Sequence, residues 1–310
     1  MEIVFLGTGA AWGLPEHACE CEICTKMKEL GEHRTRTSLF IRGQEKILVD
    51  CGPDVRLQMM QHDVGLPDAV IVTHEHGDHY LGLDELLAFR RAVPKDSWKP
   101  VPVYATEKTW EAIEIRFSYL MGTVIQRRDA VPEQPLAGLK MRVVPFRTYH
   151  GPTAQGSVGL VFQEKGENGT ATVLYTSDFS RVVTQPVLDR NPDVVIFQAH
   201  WLNEPRFNRP NHMSFQTGMA HIRRWNARQT TYLVHISDGD LVLGDPHNSA
   251  YKKMPPLAAL TKPGSDTPYP VPRCQSEWQE VVEEICRDTG IKTSVKVAYD
   301  GLRVTVRPGG

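Results

Sequence analysis

Residues 69–79 read AVIVTHEHGDH, and this segment constrains the fold more than any other part of the chain. Its first five residues are a solidly apolar run, which is typical of a strand buried on both faces. Three histidines and an aspartate follow within six positions: His74, His76, Asp78 and His79. Imidazole and carboxylate are ligands for Zn²⁺, Mn²⁺ and Fe²⁺. With 12 His in 310 residues, chance would produce this spacing in about one chain in a thousand, so the segment predicts a metal site.

The spacing within the segment favours two ions rather than one. Alternation along an extended chain puts His74 and His76 on one side, where a single ion could take both. Asp78 and His79 come at the turn into a helix and could bind a second ion. The alternative interpretation is a surface loop that is rich in histidine.

Short β-rich runs recur along the whole chain, and helical patterns lie between them. We predict strands at Glu2–Leu6, Ser38–Arg42, Lys46–Val49, Ala69–Thr73, Met141–Phe146, Val158–Phe162, Ala171–Tyr175, Val194–Phe197, Tyr232–Val234, Ser294–Ala298 and Leu302–Val306. We predict helices at Asp54–Gln61, Leu83–Arg91, Thr106 to about Leu120, Ser214–Trp225 and Ser276–Asp288. Thr106 and Ser214 are expected N-caps, and Ser276 and Gln279 have capping-box spacing. Strands dominate both halves, which predicts two sheets with outer helices.

The stretch from Asp240 to Arg273 differs from the rest, with seven prolines and no clear period. It leads into the last predicted helix. We interpret residues 240–292 as an insertion, because the segment is too short and too proline-rich to hold a core of its own. The whole chain, 1–310, is then a single domain.

Composition excludes several classes of protein. Thirty-five Lys plus Arg against 37 Asp plus Glu give a net charge of −2, which disfavours a protein that coats nucleic acid. No apolar run reaches the length of a membrane span. The N-terminal MEIVFLGTGA enters a strand pattern at once, so we expect no signal peptide and a cytoplasmic location. In such a chain, the closely spaced Cys19, Cys21 and Cys24 favour metal binding or redox chemistry over disulfides.

The THEHGDH motif resembles that of the metallo-β-lactamase fold hydrolases, in which T-H-x-H-x-D-H follows a strand and holds two metal ions. The resemblance implies an αββα fold, with two mixed sheets packed face to face and helices outside. It also implies ligands after later strands. His150 in VPFRTYHGP would complete the first site, Asp178 in VLYTSDFS would bridge the ions, and His235 in TTYLVHIS would complete the second site.

Further motifs resemble one branch of that family, the cyclic phosphodiesterase-like proteins. These motifs are FLGTGAAWGLP, the C-x-C-x-x-C of the loop 17–26, ILVDCGPDVRLQ, NHMS and VAYDGLRV. The resemblance covers about residues 1–240 and 293–307. In that branch three cysteines and a histidine hold a structural zinc.

The present chain departs from the branch at the fourth ligand of that zinc. Asp238 stands at the position of the histidine, and carboxylate oxygen is an acceptable zinc ligand. His247, Cys274 or Cys286 in the insertion are the alternatives. The resemblance therefore implies one structural zinc with Asp238 as its first candidate fourth ligand.

The activity implied by the resemblance is metal-dependent hydrolysis of a small phosphodiester, in particular a cyclic phosphate. Two divalent ions (Zn, Mn or Fe) would hold a bridging hydroxide as nucleophile. Asp78 would bind its ion and orient that nucleophile. His212 in NHMS would protonate the leaving alkoxide or bind the phosphate; the alternative is a surface histidine before a helix. The 240–292 insertion could cover the pocket or form the contact of a homodimer.

Three other functions remain as alternatives. The tRNA 3′-processing relatives use a basic arm, for which the segment 92–138 is the obvious place; it contains Arg127 and Arg128 but also several acids, which disfavours a nucleic-acid partner. An iron-dependent oxidative enzyme of cofactor biosynthesis is a second alternative. A non-catalytic binding module is the third, and the intact set of ligands disfavours it.

For two residues we keep two interpretations of similar weight, and for several others we favour a position outside the metal site. Asp50 and Gln58 match positions that buttress the family's site, but they also fit a strand-end carboxylate and a helix-surface amide. His200 could line the pocket, but we interpret it as a surface-loop residue, and we interpret Cys51 as a small buried hydrophobe rather than a ligand. We expect the remaining histidines to be solvated: His17, His33, His62 and His221.

Overall fold

The computed structural model describes residues 1–308. Over these residues the chain forms two seven-stranded mixed sheets with helices on their outer faces. The strands are β1 (Glu2–Gly7), β2 (Ser38–Arg42), β3 (Lys46–Val49), β4 (Ala69–Ile71), β5 (Val101–Ala105), β6 (Ile125–Asp129), β7 (Arg142–Tyr149), β8 (Val158–Gly166), β9 (Gly169–Tyr175), β10 (Arg181–Val182), β11 (Val194–Gln198), β12 (Thr230–Val234), β13 (Ser294–Val297) and β14 (Arg303–Thr305). The helices are α1 (Glu22–Leu30), α2 (Val55–Gln61), α3 (Gly77–Tyr80), α4 (Leu86–Ala92), α5 (Glu107–Phe117), α6 (Phe215–Trp225) and α7 (Gln275–Asp288), with short 3-10 turns between some of them.

Each sheet joins an antiparallel half to a parallel half. The first has the strand order β14-β1-β2-β3-β4-β5-β6, and the second has β10-β7-β8-β9-β11-β12-β13. In the first sheet the pairing is antiparallel from β14 to β3 and parallel from β3 to β6. The second sheet changes in the same way at β9.

Three apolar clusters hold the layers together. The inner cluster joins the facing surfaces of the sheets, with Ile71 of β4 among its members. Val70, the preceding residue, belongs instead to the cluster between the first sheet and its outer helices. The third cluster packs α6 and α7 on the second sheet. A strand buried on both faces needs apolar residues at every position, which is why the AVIVT run lacks alternation. The αββα sandwich is confirmed.

All eleven predicted strands are present, with ends that differ by a few residues. The three that sequence reasoning missed are β5, β6 and β10. β6 reads IQRRD and lies at the edge of its sheet, where one buried residue is enough. β10 has only two residues. Neither carries the apolar periodicity from which a strand is predicted.

The N-cap predictions had different outcomes. Thr106 lies at the N-cap position of α5, but its side chain makes no capping hydrogen bond. Ser214 caps α6, and its Oγ accepts a hydrogen bond from the Thr217 N–H at 3.0 Å, as predicted. The capping box at Ser276 was wrong, because α7 begins at Gln275 after Cys274. Gln279 instead bonds to the strand beside α7, where its Oε1 accepts from the Val297 N–H at 2.8 Å.

The proline-rich segment leaves the second sheet after β12, and the chain returns as β13, which pairs in parallel with β12. Parallel neighbours need a crossover connection, and α7 supplies it. The irregular part of 240–292 is therefore residues 240–274, before α7 begins. Within residues 1–308 no helix is long and apolar enough to cross a membrane.

Candidate metal centre

The candidate ligands lie where strands of both sheets end. The chain leaves β4 through His74 into α3, which carries Asp78 and His79. His150 directly follows β7, and His235 directly follows β12. The sandwich brings these strand ends to one edge, so ligands from distant parts of the sequence become neighbours.

Asp178, which follows β9, lies at the centre of the group. Its Oδ2 lies 3.0 Å from His235 Nε2, 3.4 Å from His79 Nε2 and 3.8 Å from His150 Nε2. A carboxylate with imidazoles on several sides is suited to bind two ions at once.

The remaining predicted ligands complete two overlapping groups. Ligand atoms of His74, His76 and His150 lie within 4.8 Å of one another. On the other side, Asp78 Oδ2 lies 3.1 Å from His79 Nε2. The structure thus brings all seven predicted residues of the dinuclear site together; their binding of metal stays a prediction.

Four buried atoms in this cluster make no hydrogen bond of good geometry to a described residue: the Nε2 atoms of His74, His79 and His235, and Oδ1 of Asp178. Two of them, His79 Nε2 and His235 Nε2, lie 3.1 Å and 3.0 Å from carboxylate oxygens without such a bond. A buried polar atom left unpaired costs about 1–3 kcal/mol, and such atoms are rare in folded proteins. A divalent cation accepts lone pairs from nitrogen and carboxylate oxygen and would satisfy all four. The donor set fits Zn²⁺, Mn²⁺ or Fe²⁺.

The opposite nitrogen of each ring is held by a neighbouring group. His79 Nδ1 donates to Asp50 Oδ2 at 2.9 Å, and His150 Nδ1 donates to the Asn211 carbonyl at 3.1 Å. Threonine hydroxyls contact the other three rings: Thr73 at His74 Nδ1 (3.1 Å), Thr37 at His235 Nδ1 (3.2 Å) and Thr153 at His76 Nε2 (3.0 Å). Partners of this kind fix the tautomer and orientation of a ligating imidazole. Sequence reasoning missed Asn211 and the threonines, because no spacing marks them.

Asp50 is fully buried and organises the turn that carries the first ligands. Besides the bond from His79, its Oδ1 accepts from the Thr73 N–H at 2.9 Å. This contact gives Asp50 the buttressing position that the resemblance suggested. Gln58 does not reach the cluster; its Nε2 donates to Thr35 Oγ1 and to the Arg36 carbonyl.

Electrostatics in the cluster favour a bound cation. Burial opposes a charge on His79, but Asp78, Asp50 and Asp178 outweigh it and raise the pKa of His79 well above its usual value. Burial would raise the pKa of Asp178, yet His235 and His79 hold the pKa of that carboxyl well below its usual range. Asp178 is therefore ionised at neutral pH, and positive charge at this place is stabilised.

Left-handed backbone conformations recur around the site. Asp50, Ser177 and His235 have φ of +61°, +53° and +61°. For a non-glycine residue this conformation costs about 1–3 kcal/mol. It occurs where contacts with the surrounding structure hold the residue in place, often at functional sites. Here each lies where a strand ends and the chain turns to present a side chain to the cluster.

His212 also reaches the site, with its Nδ1 3.7 Å from Asp178 Oδ2. Gln198 fixes its orientation. The Gln198 Oε1 accepts from the backbone N–H groups of Phe179 and Met213, so its Nε2 donates to His212 Nδ1 at 2.5 Å. With Nδ1 as an acceptor, the ring proton of His212 is on Nε2. His212 therefore offers an N–H group to the site.

The interpretation of His200 as a surface-loop residue was wrong. Its ring stacks on that of His212 with centroids 4.0 Å apart and an interplanar angle of 2°. Its Nδ1 is buried, and the residue lines the pocket above the cluster. The chain after β11 turns inward here because Asp240 accepts hydrogen bonds from the N–H groups of Leu202 and Asn203. That long-range contact has no signal in the local sequence.

The pocket above the cluster has a volume of about 770 Å³. His76, Asp78 and His212 line its floor. Tyr251 and Lys252 of the irregular segment 240–274 line its wall. One part of that segment thus lines the pocket; its covering of the pocket stays a prediction.

Cys19 precedes α1, Cys21 is the N-cap of α1 and Cys24 lies in its first turn, so the expected loop 17–26 is partly helical. The three cysteines gather around Asp238. Its Oδ2 lies 3.0 Å from the sulfur of Cys24, 3.4 Å from that of Cys21 and 3.7 Å from that of Cys19. Lys252 donates to the same carboxylate and to Glu16. Three thiols and a carboxylate converging on one point form a suitable donor set for a tetrahedral Zn²⁺.

The alternative fourth ligands have other contacts. His247 is half-buried, and its Nδ1 lies 3.3 Å from Asp245 Oδ1. Cys274 contacts Ser276, and Cys286 packs in the cluster outside the second sheet. Asp238 is therefore the fourth member of this group in the structure.

Other single residues have ordinary surroundings. Cys51 is fully buried in the cluster outside the first sheet, as a small hydrophobe. His17 and His33 are exposed, as expected. The same expectation was wrong for His62 and His221, which are half-buried because aromatic or backbone neighbours cover one face of each ring.

Comparisons with known proteins agree with this geometry. Residues 45–236 match the β-lactamase superfamily domain. Among curated proteins, the chain is 34% identical over 161 residues to an octanoyltransferase of Porphyromonas gingivalis. The aligned residues cover 49% of this chain and 31% of that protein. It is 27% identical over 164 residues to the coenzyme PQQ synthesis protein B of Methylobacterium radiotolerans, which covers 47% of this chain and 52% of the relative. The chain thus spans about half or less of these relatives.

Solved structures extend the similarity over the whole fold. A diphosphatase from the PhnP family has a TM-score of 0.67 at 23% identity and covers 99% of this chain and 98% of its own. Zinc-bound PqqB from Methylobacterium extorquens has a TM-score of 0.66 at 18% identity, covering 99% of this chain and all of its own. Together with the sandwich and the position of the cluster, the family match leads to one conclusion: the chain belongs to the β-lactamase superfamily and has the metallo-β-lactamase fold.

Proposed function

We propose that this protein is a metal-dependent hydrolase of phosphodiesters and that its substrate is a small molecule, in particular a cyclic phosphate. The observation that carries the proposal is the cluster of seven histidine and aspartate side chains with four buried, unpaired ligand atoms. Its position at the floor of a pocket would place a bound substrate directly against the ions.

The chain offers a separate donor set for each of two ions. One set is His74, His76 and His150, the other is Asp78, His79 and His235, and Asp178 lies between them. Two bound divalent ions would supply charge neutralisation at phosphorus and would make water more acidic. The chain's own contribution is to hold these donors in place, through Asp50 on one side and Asn211 on the other.

His212 is the residue we assign to the phosphate. Its Nε2–H is available because Gln198 occupies Nδ1. Burial and the neighbouring His200 hold the pKa of His212 well below its usual value, so the ring is neutral at neutral pH. A neutral ring has no acidic proton to transfer, but its Nε2–H can donate a hydrogen bond to a phosphoryl oxygen. Of the two roles that the sequence allowed, geometry favours the phosphate ligand over the acid.

The relatives support the chemistry in general terms. Human tRNase Z, short form, has a TM-score of 0.61 to this chain at 18% identity, and the PhnP-family diphosphatase also has this fold. The C-x-C-x-x-C loop with Asp238 favours the cyclic phosphodiesterase-like branch. A cavity of about 770 Å³ lies within the range of pockets that enclose small ligands.

An RNA substrate is one alternative that a comparison suggests. A ribonuclease Z of Listeria welshimeri is 32% identical over 118 residues, which cover 37% of this chain and 33% of that protein. However, the segment 92–138, where a basic arm was expected, forms β5, α5 and β6 of the sandwich. Arg127 there is in contact with three carboxylates, those of Glu107, Glu114 and Asp129. We therefore favour a small substrate.

Turnover with defined metal content tests the proposal. The purified chain, loaded with Zn²⁺, Mn²⁺ or Fe²⁺ in turn, is assayed against bis(p-nitrophenyl) phosphate, a 2′,3′-cyclic nucleotide and a phosphoribosyl cyclic phosphate. We expect hydrolysis that His76→Ala and Asp178→Ala abolish and that His33→Ala, an exposed control, leaves unchanged. Equal activity in all three variants would refute the proposal. Oxygen consumption with iron and no hydrolysis would favour the oxidative alternative instead.

A further inference from the structure

Two large aromatic side chains at the pocket are left exposed. Trp12 is 74% exposed and Tyr251 is 99% exposed. Both line the pocket that contains His76 and Asp78. Within residues 1–308, neither ring has a hydrogen bond or packs against another ring. Nothing in the fold uses their surfaces.

The two rings reach the pocket from unrelated parts of the chain. Trp12 lies in the loop after β1, and Tyr251 lies in the irregular segment 240–274. Single exposed aromatics are common on protein surfaces. Here two exposed aromatic rings line the same pocket, beside the cluster of candidate metal ligands. Large apolar groups that are exposed at a concave site are typical of ligand binding.

One unpaired cation lies in the same lining. The pocket contains three basic side chains, and two of them have partners. Arg36 bonds to Asp54 and to the Ala11 carbonyl, and Lys252 bonds to Asp238 and Glu16. The guanidinium of Arg209 has no ion pair or hydrogen bond to any described residue, so it is free to bind an anionic group.

We propose that the mouth of the pocket is a subsite for a planar aromatic ring of nucleobase type, carried by the same molecule as the phosphate at the cluster. The ring stacks on Trp12 and Tyr251, and Arg209 binds an oxygen of that same phosphate. The substrate class is then a nucleotide derivative rather than a simple sugar phosphate. This inference rests on the proposed function, since it names the substrate of the same site.

The physical chemistry gives the expected size of the effect. Stacking of a base on an aromatic side chain changes affinity by about 5- to 150-fold when the side chain is truncated. Arg binds phosphate oxygens through parallel N–H donors, so its contribution does not depend on the base. For two ligands that differ only in the base, truncating the rings should therefore change the ratio of their affinities. Replacing the arginine should change both affinities by the same factor.

Calorimetric binding to the zinc-loaded full chain measures both effects without turnover. The probes are AMP and ribose 5-phosphate, which share the phosphate and the sugar and differ in the base. We expect AMP to bind at least about 5-fold more tightly. The double variant Trp12→Ala, Tyr251→Ala should remove that difference, and Trp12→Phe alone should keep most of it. Arg209→Gln should weaken both probes by the same factor.

Tyr119→Ala is the matched control, because Tyr119 is 60% exposed and does not line this pocket. Equal affinity for the two probes in the unchanged protein, or binding of neither, would overturn the inference. The inference would also be overturned if the double variant kept the preference for AMP while light scattering showed a changed oligomeric state. Hydrolysis of bis(p-nitrophenyl) phosphate is measured in parallel; if it persists, the inference alone has failed, and if it is absent, the proposed function has failed.

Discussion

Replacing Asp50 by Asn tests how far the metal centre depends on a residue that would not touch the metal. The substitution keeps the shape of the side chain and removes one acceptor oxygen. Asp50 Oδ2 accepts from His79 Nδ1 at 2.9 Å, and Oδ1 accepts from the Thr73 N–H at 2.9 Å. An amide has one oxygen and one NH₂ group, so either orientation places a donor against a donor.

Both orientations of the amide in Asp50→Asn would weaken metal binding. If the amide nitrogen faces His79, the proton of that ring moves to Nε2, which is the atom needed by the ion. If it faces Thr73, a buried N–H loses its acceptor, at a cost of about 1–3 kcal/mol. Changes to groups that orient metal ligands typically lower metal affinity about 10- to 100-fold, which is about 1.4–2.7 kcal/mol.

The assay is competition for Zn²⁺ between the metal-free protein and a fluorescent chelator. Asp54→Asn is the control, because Asp54 follows the same strand but bonds to Arg36 instead of the cluster. We expect at least one ion to bind about 10- to 100-fold more weakly in Asp50→Asn and unchanged binding in the control. Affinity and stoichiometry equal to those of the unchanged protein would refute the orienting role of Asp50.

Three further predictions follow from single side chains. His212→Ala should lower kcat about 10²- to 10³-fold, and to the same extent for substrates with good and with poor leaving groups, whereas His212→Gln should retain more activity. Steady-state kinetics measures both variants. A loss confined to substrates with poor leaving groups would indicate the acid role instead. Cys24→Ser should lower the zinc content by one ion per chain and lower the melting temperature, as seen by elemental analysis and calorimetry; an unchanged zinc count would argue against the structural site. Ser214→Ala should cost about 1 kcal/mol of stability in urea unfolding through loss of the α6 cap, and no change in the midpoint would contradict that.

The main ligands could be predicted because they follow strands with strong patterns. The apolar run before His74 and the runs before Asp178 and His235 each mark a strand whose end carries a polar residue. Carboxyl ends of neighbouring parallel strands meet at one edge of a sheet, so ligands in these places converge. The resemblance then supplied their pairing.

The surroundings of the ligands could not be predicted in the same way. Thr153 and Asn211 lie in loops without periodicity, and their contacts depend on where distant strands end. Gln198 lies at the end of β11, and a single sequence does not distinguish it from an ordinary strand residue. His200 was misplaced for a related reason, since the buried Asp240 that turns its loop inward lies far along the chain, in the irregular segment 240–274.

Anomalous diffraction from crystals of the zinc-loaded protein tests the central claim most directly. We predict two peaks at the edge of the sandwich, each about 2.0–2.2 Å from its histidine and aspartate ligand atoms, with Asp178 in contact with both. A single peak, or two peaks that leave His150, Asp178 or His235 without a bond to metal, would contradict the account.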